Sequence, residues 1–404
     1  MKIGFIAEHY PPTPGGVATS TQRVARQLVQ LGARVHVLCF DHSRPLRSPD
    51  YVIEEVDRGV RVDRIGPFFL KQKEIKLDEL DERIKAAFRR RAFEQMVRRL
   101  RREPVDAILS FYLLNAGFLA QYVARETGVP LVAGVRGNDI GRNIFHVGRF
   151  AAIQWVIQGA CRIVCVNEHL RRRVLLAWPE VDERTVVIPN SVEPCLETPD
   201  RELCRQRLVE RTGWAPGDLV LTFIGTLREK KGVLTLAQAL LALPRRSRAR
   251  LLVVGQDLGP IERALCGPEW ARLREEGRLY VTENVERAEV AAWAAAADVV
   301  LMPSLDDGMA NGLLEGMMLG LCPLATRVFA DAIEDGRDGC LVPAADPEAL
   351  ANAISALEAD RERVTALGRA ARERVLAWRP RDEAERYWAV LAGAVAAPRR
   401  GTGV

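Results

Sequence analysis

The sequence predicts an α/β chain of two Rossmann-like domains, and three observations carry that prediction. Short apolar runs alternate with amphipathic helical patterns from end to end, the sign of parallel sheets covered by helices on both faces. The alternation runs through two periods, separated by a stretch with no strand pattern. The 404 residues have the length of two domains, and 48% apolar residues supply two cores.

In the first period the expected strands are Lys2–Ala7, Val35–Cys39, Ala107–Ser110, Leu131–Val135, Ile163–Val166 and Val186–Ile188. Each is short and mainly apolar, as strands buried on both faces are. Helical spacing fills the gaps, notably over Thr19–Leu31, Arg83–Arg102 and Ala116–Glu126. The second period repeats the theme with Leu219–Ile224, Arg250–Val254, Arg278–Val281, Val299–Met302 and Pro323–Ala325. Between the periods, Pro189–Pro216 holds Pro189, Pro194, Pro199 and Pro216 around a polar helical segment. The boundary falls there, giving domains of 1–190 and 191–379. Near the end, Trp378-Arg379-Pro380 breaks a helix, and Asp382–Val395 resumes helical spacing with Tyr387, Trp388, Leu391 and Val395. The tail from Pro398 is expected to fray.

Composition narrows the function. The net charge is +5, with the basic excess in the first half and much of it in Arg83–Arg102. There Ile84, Ala87, Phe88, Ala92, Met96 and Leu100 recur at helical spacing, so the segment is a packed surface helix or a peripheral contact with an anionic membrane. No nucleic-acid motif accompanies the charge, and nucleic acid is not an expected partner. No uncharged apolar run reaches the roughly eighteen residues of a membrane span. Glu8 interrupts a first apolar run too short for a leader, so a cytoplasmic chain is expected. The eight cysteines are scattered and the five histidines lack ligand spacing, which predicts free thiols and no metal site.

The most informative stretch is Pro303-Ser304-Leu305-Asp306-Asp307-Gly308-Met309-Ala310-Asn311-Gly312-Leu313-Leu314-Glu315. It follows an apolar strand and leads into a helix, with loop composition between. A helix amino end offers unpaired amides and the positive end of a dipole, which together make an anion site. A nucleoside diphosphate-sugar fits such a site. Its phosphates would lie on the amides of Met309, Ala310, Asn311, Gly312 and Leu313, and its hydroxyls on Asp307 and Glu315. Gly225-Thr226-Leu227-Arg228-Glu229-Lys230-Lys231-Gly232 opens the second domain in the same manner, with Lys231 placed to neutralise a diphosphate. In the first domain, Gly15 and Gly16 follow Pro11-Pro12-Thr13-Pro14 at a strand-to-helix turn, where backbone approaches a ligand closely. Arg136-Gly137-Asn138-Asp139 follows the strand Leu131–Val135, at the end of the sheet where open α/β folds bind ligands. Asp139 either meets a ligand or caps the next helix. The absence of G-x-G-x-x-G after the first strand argues against a nicotinamide enzyme.

Together these motifs resemble the retaining glycosyltransferases of family four, over nearly the whole chain from Gly15 to the final helix. The donor loop is similar to that family's Pro-Ser-x-x-Glu-Gly with a second Glu eight positions on, with Asp307 at the first acidic position and Glu315 at the second. Lys231-Gly232 matches the family's Lys-Gly, but Thr226 stands where an Arg is usual, so Arg228 substitutes or one positive contact is missing. Arg136 stands where many members have His. Val187-Ile188-Pro189-Asn190-Ser191-Val192 resembles the hinge, and Asp335-Gly336-Arg337-Asp338-Gly339 the stretch beyond the donor loop, with Arg327 and Val328 in place of the usual Gly-Gly.

The resemblance implies a GT-B fold, two Rossmann-like domains facing across a cleft, with the last helix, about 380–404, completing the first domain. It implies transfer of a sugar from a UDP- or GDP-sugar to a hydroxyl-bearing acceptor with retained configuration, and no cofactor or metal. Glu315 would hold the ribose and Asp307 the donor sugar. Lys231, Arg228 and the loop amides would hold the diphosphate, joined by Gly15 and Gly16. Arg136 and Asp139 would complete the catalytic set with Asp307 and Lys231, Arg136 pairing with donor phosphate or an acidic acceptor. A nucleotide-sugar epimerase of the same fold and a non-catalytic sugar-nucleotide-binding protein are the alternatives.

Overall fold

The computed structural model describes residues 1–13, 15–69, 81–193, 199–255, 265–282, 285–286 and 289–397. Pro14, Pro194 and the tail from Pro398 lie outside the described residues. The chain divides into two compact units, Met1–Asn190 with Pro380–Val404, and Ser191–Arg379.

The first unit is built on eight strands. They are β1 (Lys2–Ala7), β2 (Arg34–Phe40), β3 (Tyr51–Asp57), β4 (Val60–Gly66), β5 (Ala107–Phe111), β6 (Leu131–Val135), β7 (Arg162–Cys165) and β8 (Thr185–Val187). Their order is β3-β4-β2-β1-β5-β6-β7-β8, parallel except for the edge hairpin β3–β4. Beyond the exposed Lys2, the central strands β1, β5 and β6 are buried and mostly apolar, as two-sided burial requires. The hairpin was not expected from the sequence. Glu54 and Glu55 fall side by side and spoil the alternation, and the turn uses Arg58 at φ 48° with Gly59 at φ 86°. Those two left-handed residues make the turn that suits a twisted hairpin, but Arg-Gly is a weak signal for it.

Ala384, Tyr387, Leu391 and Ala394, on the last helix Pro380–Ala396, lie in the same core as Phe5, Val24, Leu28 and Phe111. Arg23 reinforces that docking through two bonds to the Glu383 carboxylate, at 2.9 and 3.1 Å. The basic helix Glu82–Arg102 packs Phe88, Ala92, Met96, Val97 and Leu100 inward. Several of its arginines are paired, Arg99 with Glu54 and Asp63, Arg101 with Glu126, Arg91 with Asp50. A packed surface helix describes this geometry.

The second unit has six parallel strands. They are β9 (Leu219–Ile224), β10 (Ala249–Val254), β11 (Leu279–Val281), β12 (Val299–Met302), β13 (Cys322–Thr326) and β14 (Cys340–Val342), in the order β11-β10-β9-β12-β13-β14. From β9 the chain winds outward through β10 and β11, then returns to β12 on the other side. The reversal lies between β9 and β12, and in such sheets the loops after the two strands at the reversal bind ligands. Those loops carry Lys231 and Asp307. In the first unit the reversal lies between β1 and β5, and the loop after β1 carries Gly15 and Gly16.

The seven described cysteines are free thiols; Cys39, Cys165 and Cys322 are buried. No helix among the described residues is long and apolar enough to cross a membrane.

Candidate functional site

The second unit gathers its chemistry at the carboxyl ends of β9 and β12. After β9 the chain makes a single 3₁₀ turn, Glu229–Lys231, closed by Gly232 at φ 70°. A side chain at Gly232 would place its Cβ 2.0 Å from the Pro303 carbonyl, so this closeness to the β12 loop demands glycine. Leu305 N–H donates to the Lys230 carbonyl at 2.8 Å, and Thr326 Oγ1 donates to the Ser304 carbonyl at 2.7 Å. The two loops are thereby fixed to each other and to β13.

On this frame Lys231 Nζ bonds Asp307 Oδ2, and Lys230 Nζ lies 3.5 Å from Asp307 Oδ1. Burial alone would push the Asp307 carboxyl up. The ammonium groups of Lys231 and Lys230, with the Gly308 N–H, outweigh it and hold the carboxyl below its ordinary range. Burial pulls the Lys230 ammonium below its ordinary value, with Asp307 opposing. The helix Asn311–Met318 starts directly beyond, with no side-chain cap at Ala310. A Cβ on Gly312 would fall 2.3 Å from the Ile224 carbonyl, so the helix start sits tightly against the end of β9. The Gly312 amide is in the first turn, where an α-helix offers no acceptor. Leu313 N–H differs from the expectation: it donates to the Ala310 carbonyl at 3.1 Å. Glu315 is half-buried, one turn into this helix.

Asp307, Lys231, Ala310, Asn311, Gly312 and Glu315 therefore share one loop-and-helix frame in the second unit. Arg228 is exposed at the start of the 3₁₀ turn, and the second cation on Asp307 is Lys230, which the motif reading passed over. The only available signal was the doubled lysine itself. In the first unit, Gly15 at φ 139° precedes the helix Gly16–Gln30, and Arg64 bonds the Tyr10 and Pro11 carbonyls at the root of that loop.

Arg136 and Asp139 have partners of their own within the first unit. Asp139 is fully buried, and its carboxylate accepts the N–H groups of Arg136 at 3.0 Å, Gly137 at 2.8 Å and Ile140 at 3.2 Å. Burial pushes its carboxyl up and those amides oppose the shift. It closes the turn after β6 through those amides, while the helix Asn138–Gly141 has no side-chain cap at Gly137. The Arg136 guanidinium donates to Asn190 Oδ1 at 2.7 Å and Tyr387 Oη at 3.4 Å, and stacks 4.1 Å from the Phe111 ring centre. Its partners are the last residue of the unit's first segment and a residue of the returning helix. Arg136→Lys keeps the charge but loses the planar fork and the stacking. It should lower the melting temperature, corresponding to about 1–3 kcal/mol, with turnover per folded molecule near normal. A tenfold loss of turnover at unchanged melting temperature would restore the catalytic role.

Comparison with known proteins follows this division. Residues 14–195 match the domain described as Glycosyltransferase Family 4, and residues 218–360 the domain described as Glycosyl transferases group 1. The chain is 30% identical over 374 residues to D-inositol 3-phosphate glycosyltransferase of Frankia alni, covering 85% of this chain and 86% of the relative. Among solved structures it is similar to sucrose-phosphate synthase of Thermosynechococcus elongatus, with TM-score 0.78 and 19% identity over 98% of this chain and 100% of the other. HepE of Anabaena in complex with UDP-glucose is similar with TM-score 0.74 and 17% identity, over 97% and 100% of the two chains. Two parallel α/β units of this kind, with these matches, place the chain among the GT-B glycosyltransferases, in the family of group 1 and family 4 enzymes.

Proposed function

We propose that the chain transfers a sugar from a nucleoside diphosphate-sugar, UDP or GDP being the nucleotide, to a hydroxyl-bearing acceptor, with retained configuration and without a metal. The observation that carries this reading is the Lys230–Lys231–Asp307 cluster at the β9/β12 reversal, beside the amino end of Asn311–Met318. Cleaving the donor's glycosidic bond leaves negative charge on the diphosphate. Fixed cations and amides aimed at that charge stabilise it without reorganising. Lys231 and the Gly312 amide are placed for this, Glu315 for the ribose, and Asp307 for the sugar hydroxyls once the donor takes Lys231 from it. In a same-face transfer the departing phosphate helps remove the acceptor proton, so no protein base is required.

The Frankia relative is named for inositol 3-phosphate and the Anabaena one was solved with UDP-glucose, which supports a polyol-type hydroxyl acceptor and a UDP-sugar donor. We further infer a cytoplasmic enzyme, in which exposed Arg98 and Arg102 of the packed helix Glu82–Arg102 are the groups an anionic membrane surface would meet.

A thermal-shift screen against UDP, GDP, ADP and their common sugar conjugates tests the donor. A true ligand at 100 times its dissociation constant adds about 2.7 kcal/mol of stability. Glu315→Gln should weaken that ligand about tenfold, since hydrogen bonds to a charged group contribute about 1.5–3 kcal/mol. No stabilisation by any of them, or an unchanged affinity in the variant, would sink the reading. Activity should persist in excess EDTA, and loss restored by magnesium or manganese would remove the metal-independent mechanism. The anomeric configuration of product, followed by NMR during the reaction, decides retention.

A further inference from the structure

Two ammonium groups converge on one carboxylate in the second unit, and they belong to adjacent residues. On a 3₁₀ turn neighbouring side chains point about 120° apart. Here both long stems bend to Asp307, Lys231 in direct bonding contact and Lys230 at 3.5 Å. Both head groups are largely covered, with side chains 26% and 16% exposed for Lys230 and Lys231. The backbone enforces the arrangement: the Leu305 N–H holds the Lys230 carbonyl, and Gly232 lets the turn close on Pro303.

Gathering two like charges in a half-dry loop is unfavourable, and the Asp307 carboxylate between them offsets part of it. Asp306 acts on Lys230 from further away. The arrangement makes sense where a multiply charged anion is received: a diphosphate brings at least two negative charges, and lysine suits phosphate as a compact point charge. Arg228, the other basic residue of the loop, is exposed.

We propose that Lys230 is a second cation for the donor diphosphate, acting beside Lys231. The inference rests on the nucleoside diphosphate-sugar reading and names a further residue of that site. In the unliganded chain Asp307 holds both ammonium groups in place. When the donor binds, the diphosphate takes over both and Asp307 turns to the sugar.

The test uses the full chain with Lys230→Met and Lys230→Arg, titrated with UDP, GDP and ADP at several salt concentrations. For the diphosphate that the wild type binds, Lys230→Met should weaken affinity about tenfold or more. Its affinity should also depend less steeply on salt, because one screened attraction has been removed. Lys230→Arg should return affinity to within about threefold, and the unliganded melting temperatures should be close to wild type. Wild-type affinity in Lys230→Met overturns the inference alone. So does a Lys230→Arg variant as weak as Lys230→Met, which would mean a packing role. A wild-type chain that binds none of the three overturns the donor reading together with the inference.

Discussion

Lys231→Met should lower turnover by about 10²–10³ in folded enzyme, the size of effect seen when one preorganised donor to a developing negative charge is removed. Methionine keeps an unbranched stem of similar length, so the loop Gly225–Gly232 can hold its course through the Leu305–Lys230 backbone bond. What is lost is charge where the diphosphate departs. The unliganded chain also loses something, because Lys231 is the leading attraction among those that keep Asp307 below its ordinary range. Stranding a buried carboxylate typically costs about 3–5 kcal/mol, but Lys230 remains 3.5 Å away and offsets part of that. The melting temperature should therefore fall only modestly while turnover collapses. The carboxyl of Asp307 is depressed in the wild type, so the stability it confers is present above its unfolded pKa and lost as pH falls through its folded one. In the variant that loss should begin at higher pH. Turnover within about threefold of wild type would show that the diphosphate is held elsewhere.

The second large effect concerns stability. Arg23→Met should destabilise the first unit by about 3–5 kcal/mol, because Glu383 is left buried with its charge and without its two-bonded partner. The two side chains are 5% and 2% exposed, so water cannot take over. Arg23→Met with Glu383→Met should recover most of the loss, since an apolar pair of similar volume removes the desolvation cost altogether. Two units need not unfold together, and the first transition should be assigned by a probe within it before the free energy is read. A single variant that unfolds like wild type would mean the pair contributes nothing net.

How much of this was legible in the sequence depends on how local each signal is. The central parallel strands were readable because two-sided burial writes continuous aliphatic runs, as in Leu219–Ile224 and Leu131–Val135. β14 was missed because Cys340–Val342 is three residues long and carries no pattern of its own. The donor-side frame was readable because Asp307, Gly312 and Glu315 lie within one strand–loop–helix unit, and Lys231 within another. The partners of Arg136 were not readable, for the opposite reason. Its partners Asn190 and Tyr387 are 54 and 251 residues away, and no local feature announces them. Lys230 lay hidden beside the residue that drew attention, since only the shape of a single turn brings its ammonium to Asp307.

The helix Pro380–Ala396 has a consequence for how the chain is made. A ribosome releases Met1–Asn190 first, yet that segment lacks Tyr387, Leu391 and the Glu383 partner of Arg23 until almost all of the chain has emerged. Ser191–Arg379, synthesised later, is whole sooner. During that interval the apolar surface around Phe5, Leu28 and Phe111 has no cover from this helix, so the earlier-made half finishes folding last. A stop codon before Pro380 would therefore act as a lesion of the amino-terminal unit, leaving the carboxyl-terminal one intact.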